Sequence, residues 1–167
     1  MTSTHTVTPS ATPTDTATPT KKVASVALPG GVVDDSVRIF LISQNTGGSI
    51  CGDSAVSIKT SVAETNDIEE NVKAALKQLL GIRSTWAGNL YNPLAYSNLR
   101  LAEVKFNRGS GVIMVRFRGE YVPTGDPCDN TRVRAQVWST IKQFRGIKST
   151  NIYLNNMPFG DRLSNGK

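Results

Sequence analysis

Two runs of alternating character, residues 99–107 and 111–118, stand either side of Arg108-Gly109-Ser110-Gly111. No other stretch limits the fold as tightly. Alternation of apolar and polar side chains is the period of a half-buried strand, and a short Gly-containing connection between two such runs reads as a hairpin. In the second run Ile113, Val115 and Phe117 point inward, with Met114, Arg116 and Arg118 outward. The first run changes phase: Leu99 and Leu101 face one way, Val104 and Phe106 the other, so a bulge is expected near Ala102. A Pro- and Gly-rich loop follows over 120–129, then an amphipathic helix over 131–145, stopped at Gly146. Val133, Val137, Ile141 and Phe144 form its apolar stripe, and Asp129 or Asn130 is its expected N-cap. Residues 148–155 make a final strand, and Asn155-Asn156 is expected to begin a polar tail.

Upstream of this ββαβ block, residues 36–43 alternate as a strand, and 44–53 read as a Gly-rich loop ending at a cysteine. Residues 56–62 are expected to form a short edge strand. Ile68, Val72, Ala75, Leu76, Leu79 and Leu80 recur at helical spacing. Asn66 with Glu69 resembles a capping box at the start of that helix, and Gly81 is its expected stop. The connection 82–98 is long for a compact domain and carries Trp86, Tyr91 and Tyr96. That much aromatic area is expected to lie folded on the body; a ligand-binding lid is the alternative. The resulting order is βαββαβ-like, an α+β two-layer sandwich with two helices on one face of a small mixed sheet.

The first 22 residues are Thr, Pro, Ser and Ala with little to bury, so 1–35 is expected to be a disordered stalk and linker. The domain is assigned to 36–161 and a tail to 162–167. No run reaches the roughly 18 apolar residues of a membrane span, and no signal peptide opens the chain. If the native protein is exported, its N-terminal signal or lipid anchor is expected to have been removed.

The two cysteines admit free thiols, a redox pair or one disulfide. Cys51 and Cys128 both lie in polar loops among Gly, Asp and Pro, where buried free thiols are seldom found, which favours a disulfide and an oxidising compartment. The net charge of +6 and pI of about 9.6 fit an anionic partner such as nucleic acid, an acidic wall polymer or a membrane surface. They fit equally a plain excess of Lys and Arg.

The only histidine, His5, lies in the Thr/Pro segment, which removes the usual Ser–His and Cys–His hydrolase designs. No phosphate-loop or dinucleotide fingerprint is present, and zinc would lack ligands. Two carboxylate chemistries stay open: an all-oxygen cation site around Asp126 and Asp129, and a glycosidase pair drawn from Asp53, Glu64, Glu103 and Glu120. With helices covering one sheet face, the other is expected to present Arg38, Phe40, Met114, Arg116, Arg118 and Tyr153. Such a face would meet a protein, a polymer or, as on RNA-recognition sheets, a nucleic acid.

Several segments in order resemble the GerMN (sporulation and spore-germination) domain family: Leu90-Tyr91-Asn92-Pro93-Leu94-Ala95-Tyr96-Ser97-Asn98-Leu99, Gly119-Glu120-Tyr121-Val122, Cys128-Asp129-Asn130-Thr131-Arg132 and Gln143-Phe144-Arg145-Gly146-Ile147. The likeness is to the cysteine-containing branch found in exported bacterial lipoproteins, though Asn130-Thr131 stands where that branch has an acidic residue and Pro. The resemblance implies a Cys51–Cys128 pairing and a non-catalytic module of the cell envelope or cell surface, with no cofactor and no catalytic residues. Its expected partner is a protein or a cell-wall polymer. The alternatives from other classes are a carboxylate-dependent wall-glycan hydrolase and a nucleic-acid-binding module.

Overall fold

The computed structural model describes residues 35–164, so most of the expected stalk and the last residues of the expected tail lie outside the described residues. The fold is α+β, with three helices, two four-stranded sheets and one disulfide among the described residues.

The first sheet has the order β2-β1-β4-β3, built from β1 (Ser36–Gly48), β2 (Gly52–Ala63), β3 (Trp86–Ala87) and β4 (Leu90–Tyr91), all antiparallel. The second has the order β5-β6-β7-β8, from β5 (Asn98–Asn107), β6 (Val112–Glu120), β7 (Ser149–Leu154) and β8 (Met157–Pro158). Only the second is mixed, because β6 and β7 run parallel on either side of the crossover through α2 (Asp129–Lys142). The strands expected in one small sheet are thus divided between two. The core lies between the sheets and the helices α1 (Ile68–Gly81) and α2: Val37, Ile39 and Leu41 of β1 meet Val72, Leu76, Val133, Val137 and Ile141, with Ile113, Val115 and Phe117 of β6.

The β5–β6 hairpin follows its alternation closely. Its register shifts between Leu101 and Glu103, which is the bulge that the phase change at Ala102 requires. The shift returns Val104 to the core beneath the same sheet that buries Leu99.

Elsewhere the structure departs from the sequence pattern. β1 continues to Gly48 and β2 begins at Gly52, so the expected loop 44–53 is the end of a long hairpin, with left-handed Asn45, Gly47, Cys51 and Gly52 taking up the irregular register. Asp67, not Asn66, caps α1: its side chain accepts from the Glu69 and Glu70 N–H groups at 2.8 and 3.2 Å. Glu69 instead accepts the Phe106 N–H at 2.7 Å, which ties α1 to β5. Gly81 is the last residue of α1 and is not left-handed; the Ile82 N–H closes the helix onto Leu79 O. Helix α2 starts at Asp129, and neither Asp129 nor Asn130 caps it, because the Asp129 side chain is turned into the body.

The polar tail also gives way. Asn155 and Asn156 both take positive φ (50° and 67°) and turn the chain into β8, followed by α3 (Phe159–Ser164). Phe159 and Leu163 are buried, and the Phe159 ring lies 5.7 Å from that of Phe117. The Asn155 amide clasps Gly119 on both sides, accepting its N–H at 3.2 Å and donating to its carbonyl at 2.8 Å. Gly119 itself has φ +113°, and a Cβ there would collide with the carbonyl of Asn98.

Where β4 leaves β1 uncovered, side chains of the segment at the end of α2 take the place of a strand. Gln143 accepts the Arg38 N–H at 3.0 Å and donates to the Arg38 carbonyl at 2.7 Å, while Thr140 accepts the Phe40 N–H at 3.2 Å.

Phe117 is buried in the core against the Phe159 ring of α3, so Phe117→Ala is expected to lose about 3–5 kcal/mol of stability in urea denaturation. A loss under about 1 kcal/mol would mean that α3 does not close the core.

Candidate functional site

Sequence elements far apart converge at the mouth of the β1–β2 hairpin. The disulfide joins Cys51 in the hairpin turn to Cys128 at the start of α2, with Cα atoms 6.1 Å apart. Beside it Arg132, one turn into α2, is clasped by carboxylates from three directions. Its Nε donates to Asp53 Oδ2 at 2.6 Å, and its Nη1 to Asp126 Oδ2 at 2.6 Å and Asp129 Oδ1 at 3.3 Å. Arg132, Asp53 and Asp129 are buried, while the Asp126 side chain is 41% exposed. Asp53 also accepts the Asn45 N–H at 2.8 Å, and Asp126 the Cys128 N–H at 2.8 Å.

Burial alone would lower the pKa of Arg132, but hydrogen bonds to Asp126, Asp53 and Asp129 more than offset it and keep the guanidinium charged. The same bond from Arg132, helped by the Cys128 N–H, holds Asp126 below its ordinary value. Asp129 receives the Tyr91 hydroxyl at 3.0 Å and the Thr124 hydroxyl and N–H. Burial pushes the Tyr91 and Tyr121 phenols up, the latter strongly.

This network settles where the candidate carboxylates go. The cation site imagined around Asp126 and Asp129 is filled by a guanidinium, and among the described residues no group of three His, Cys, Asp or Glu is placed to hold a metal ion. Asp53 is bound to Arg132, Glu103 sits on β5, and Glu64 and Glu120 are exposed at the ends of β2 and β6. Arg132 was not singled out from the sequence, although Asp126, Asp129 and Arg132 recur at three-residue spacing into a helix, the interval that places side chains together.

The long connection folds onto the body through Leu90, Tyr91, Leu94 and Ala95, all buried. Its Asn92 side chain donates to Ile82 O at 2.9 Å and accepts from Gln136 at 3.1 Å, so it is stitched to α2. Tyr91 is therefore an anchor of the buried network. Trp86 and Tyr96 are 50% and 63% exposed, with the Trp86 ring 5.3 Å from that of Tyr91.

The face expected to carry six outward residues is divided between the sheets. Arg38 and Phe40 belong to β1 in the first sheet, with their backbone bound by Gln143 and Thr140. Met114, Arg116, Arg118 and Tyr153 share one face of the second sheet, where the register also places Arg100 opposite Arg118 and Glu103 opposite Arg116. Arg100 was missed in sequence, yet alternation from buried Leu99 gives its direction.

Charge on this face is unevenly paired. Arg116 Nε lies 3.1 Å from Glu103 Oε2, its Nη1 donates to Asn156 at 3.2 Å, and its guanidinium stacks 5.2 Å from the Tyr153 ring centre. Lys105 lies 2.7 Å from Glu103 and holds that carboxyl below its ordinary value. Arg100 and Arg118 make no ion pair among the described residues. A shallow hollow of about 800 Å³ surrounds them, lined by Asn98, Glu103, Arg116, Gly119 and Asn156 as well.

A second, more apolar hollow of about 740 Å³ runs between α2 and β7, lined by Arg134, Trp138, Ile152, Tyr153, Pro158 and Phe159. Trp138 Nε1 donates to Thr150 there at 3.0 Å.

Compared with protein-family models, curated proteins and solved structures, the chain returns no match.

Removing the guanidinium from the clasp leaves buried carboxylates without a counter-charge, so Arg132→Met is expected to cost about 3–5 kcal/mol at neutral pH. Asp126 has a depressed folded pKa, so its contribution is present above its ordinary value and is lost as pH falls through the lower, folded one. Asp126→Asn should therefore flatten the acid limb of the stability–pH curve; an unchanged limb would count against the pairing. Closing a loop of 77 residues predicts a loss of roughly 4 kcal/mol for the Cys51→Ser, Cys128→Ser double variant.

Proposed function

We propose that the chain is an extracytoplasmic, non-catalytic binding or assembly module of the GerMN type, part of a cell-envelope or surface protein that works by touching a protein or a wall polymer. The observation that carries this reading is the uncovered face of the second sheet, where Arg100, Met114, Arg116, Arg118 and Tyr153 stand opposite the helix-covered side.

Three further points support it. Disulfides persist in oxidising compartments, and this one links two elements of the body. No helix among the described residues is long and apolar enough to cross a membrane. Leaving aside β2, β3 and β4, the order β1, α1, β5, β6, α2, β7 follows the βαββαβ-like arrangement read from the sequence. The hydrolase reading loses one of its four candidate carboxylates to structural work, since Asp53 is buried against Arg132. The nucleic-acid reading is weakened on this sheet face, where the Tyr153 ring already stacks with the Arg116 guanidinium.

Co-sedimentation with isolated bacterial cell envelopes tests the reading. The full chain is expected to sediment with them, and Arg116→Glu, Arg118→Glu together should lower the affinity at least about tenfold, the change that about 1.4 kcal/mol produces. Binding indifferent to both reversals would remove the sheet face from the proposal. Two freely labelled thiols in the native protein would remove the compartment.

A further inference from the structure

We propose that the Arg100–Arg118 end of the open sheet face is a binding site for a base-free phosphodiester chain, such as a polyol phosphate polymer of the envelope. The inference rests on the binding-module reading above and gives its face a ligand.

Arg100 and Arg118 are directly opposite across the β5–β6 ladder, so their side chains leave the same face as close neighbours. Like charges in that position destabilise a sheet. Arg116 on the same strand is neutralised by Glu103, yet these two have no carboxylate within ion-pair distance among the described residues. Glu120, past the glycine and opposite Asn98, pairs with neither. The floor beneath them is fixed. Gly119 is clasped by Asn155, and its missing Cβ lets the two strands approach at the end of the hollow.

Two exposed guanidinium groups on a rigid floor form a fork for oxyanions. A phosphodiester stays ionised across the physiological pH range, and each of its two non-bridging oxygens accepts more than one hydrogen bond, so one group can bridge both arginines. Arg116, two residues from Arg118 and about 6.6 Å along the strand, is already held by Glu103, so Arg100 and Arg118 alone define the site. A base stacking on this face would compete for the Tyr153 ring with the Arg116 guanidinium already beside it.

The test is titration of the full chain with synthetic poly(glycerol phosphate), with oligodeoxythymidylate and poly-glutamate of matched charge as the other arms. Tight binding to the first alone is expected. Arg100→Gln and Arg118→Gln should each reduce the slope of log K against log salt by about 0.7, as loss of one phosphate contact does on single strands. Lys77→Gln, on the exposed side of α1, should leave the slope unchanged. Either arginine variant should also melt no lower than the parent, because a like-charge pair is relieved. Stronger binding of oligodeoxythymidylate, equal binding of poly-glutamate, or slopes unmoved by either variant would each overturn the site. If no polymer binds while the chain still sediments with envelopes, the ligand falls and the module reading stands.

Discussion

One guanidinium, that of Arg132, joins a hairpin turn, a Pro-rich loop and the first turn of a helix through Asp53, Asp126 and Asp129. Taking such charges out of water is costly, and the attraction offsets that only when geometry and added hydrogen bonds satisfy every oxygen. Here Asn45, Cys128, Thr124 and Tyr91 supply those bonds. The neighbouring disulfide keeps the hairpin turn near the helix start, which reduces the entropy lost when the ionic cluster assembles. The placement of α2 on both sheets follows from this corner, and so does the docking of the connection through Asn92 and Gln136.

Parts of this arrangement are legible in the sequence because their periods are strong. The alternation of β6 and the stripe Val133, Val137, Ile141, Phe144 fix which sides are buried, and the slip at Ala102 announces a bulge without any structure. The loop positions of Cys51 and Cys128 point to their bond for a chemical reason, since loops rich in Asp and Gly give a thiol no apolar shelter.

What was not legible depends on contacts between distant segments. The β1–β2 hairpin extends through glycines that read as loop, because pairing resumes at Gly48 and Gly52 beyond an irregular stretch and overrides their poor strand propensity. Asn155-Asn156 reads as the start of a tail, but asparagine tolerates left-handed backbone, and the buried Phe159 and Leu163 beyond it reward a tight turn. Arg38 and Phe40 alternate as well as Arg116 and Arg118 do. Period alone says which residues share a side of a strand, and it is silent on which sheet that strand joins.

The amide of Gln143 occupies an open edge of β1 at Arg38. By matching one donor and one acceptor on Arg38 it imitates an adjacent strand, and Glu69 blocks the Phe106 N–H on β5 in a similar way. A strand from another molecule arriving at either place would have to displace a side chain anchored near a helix end before finding a free main-chain group. Templated growth into ribbons or exchanged hairpins is therefore discouraged along these stretches, and encounters there are left to side-chain chemistry.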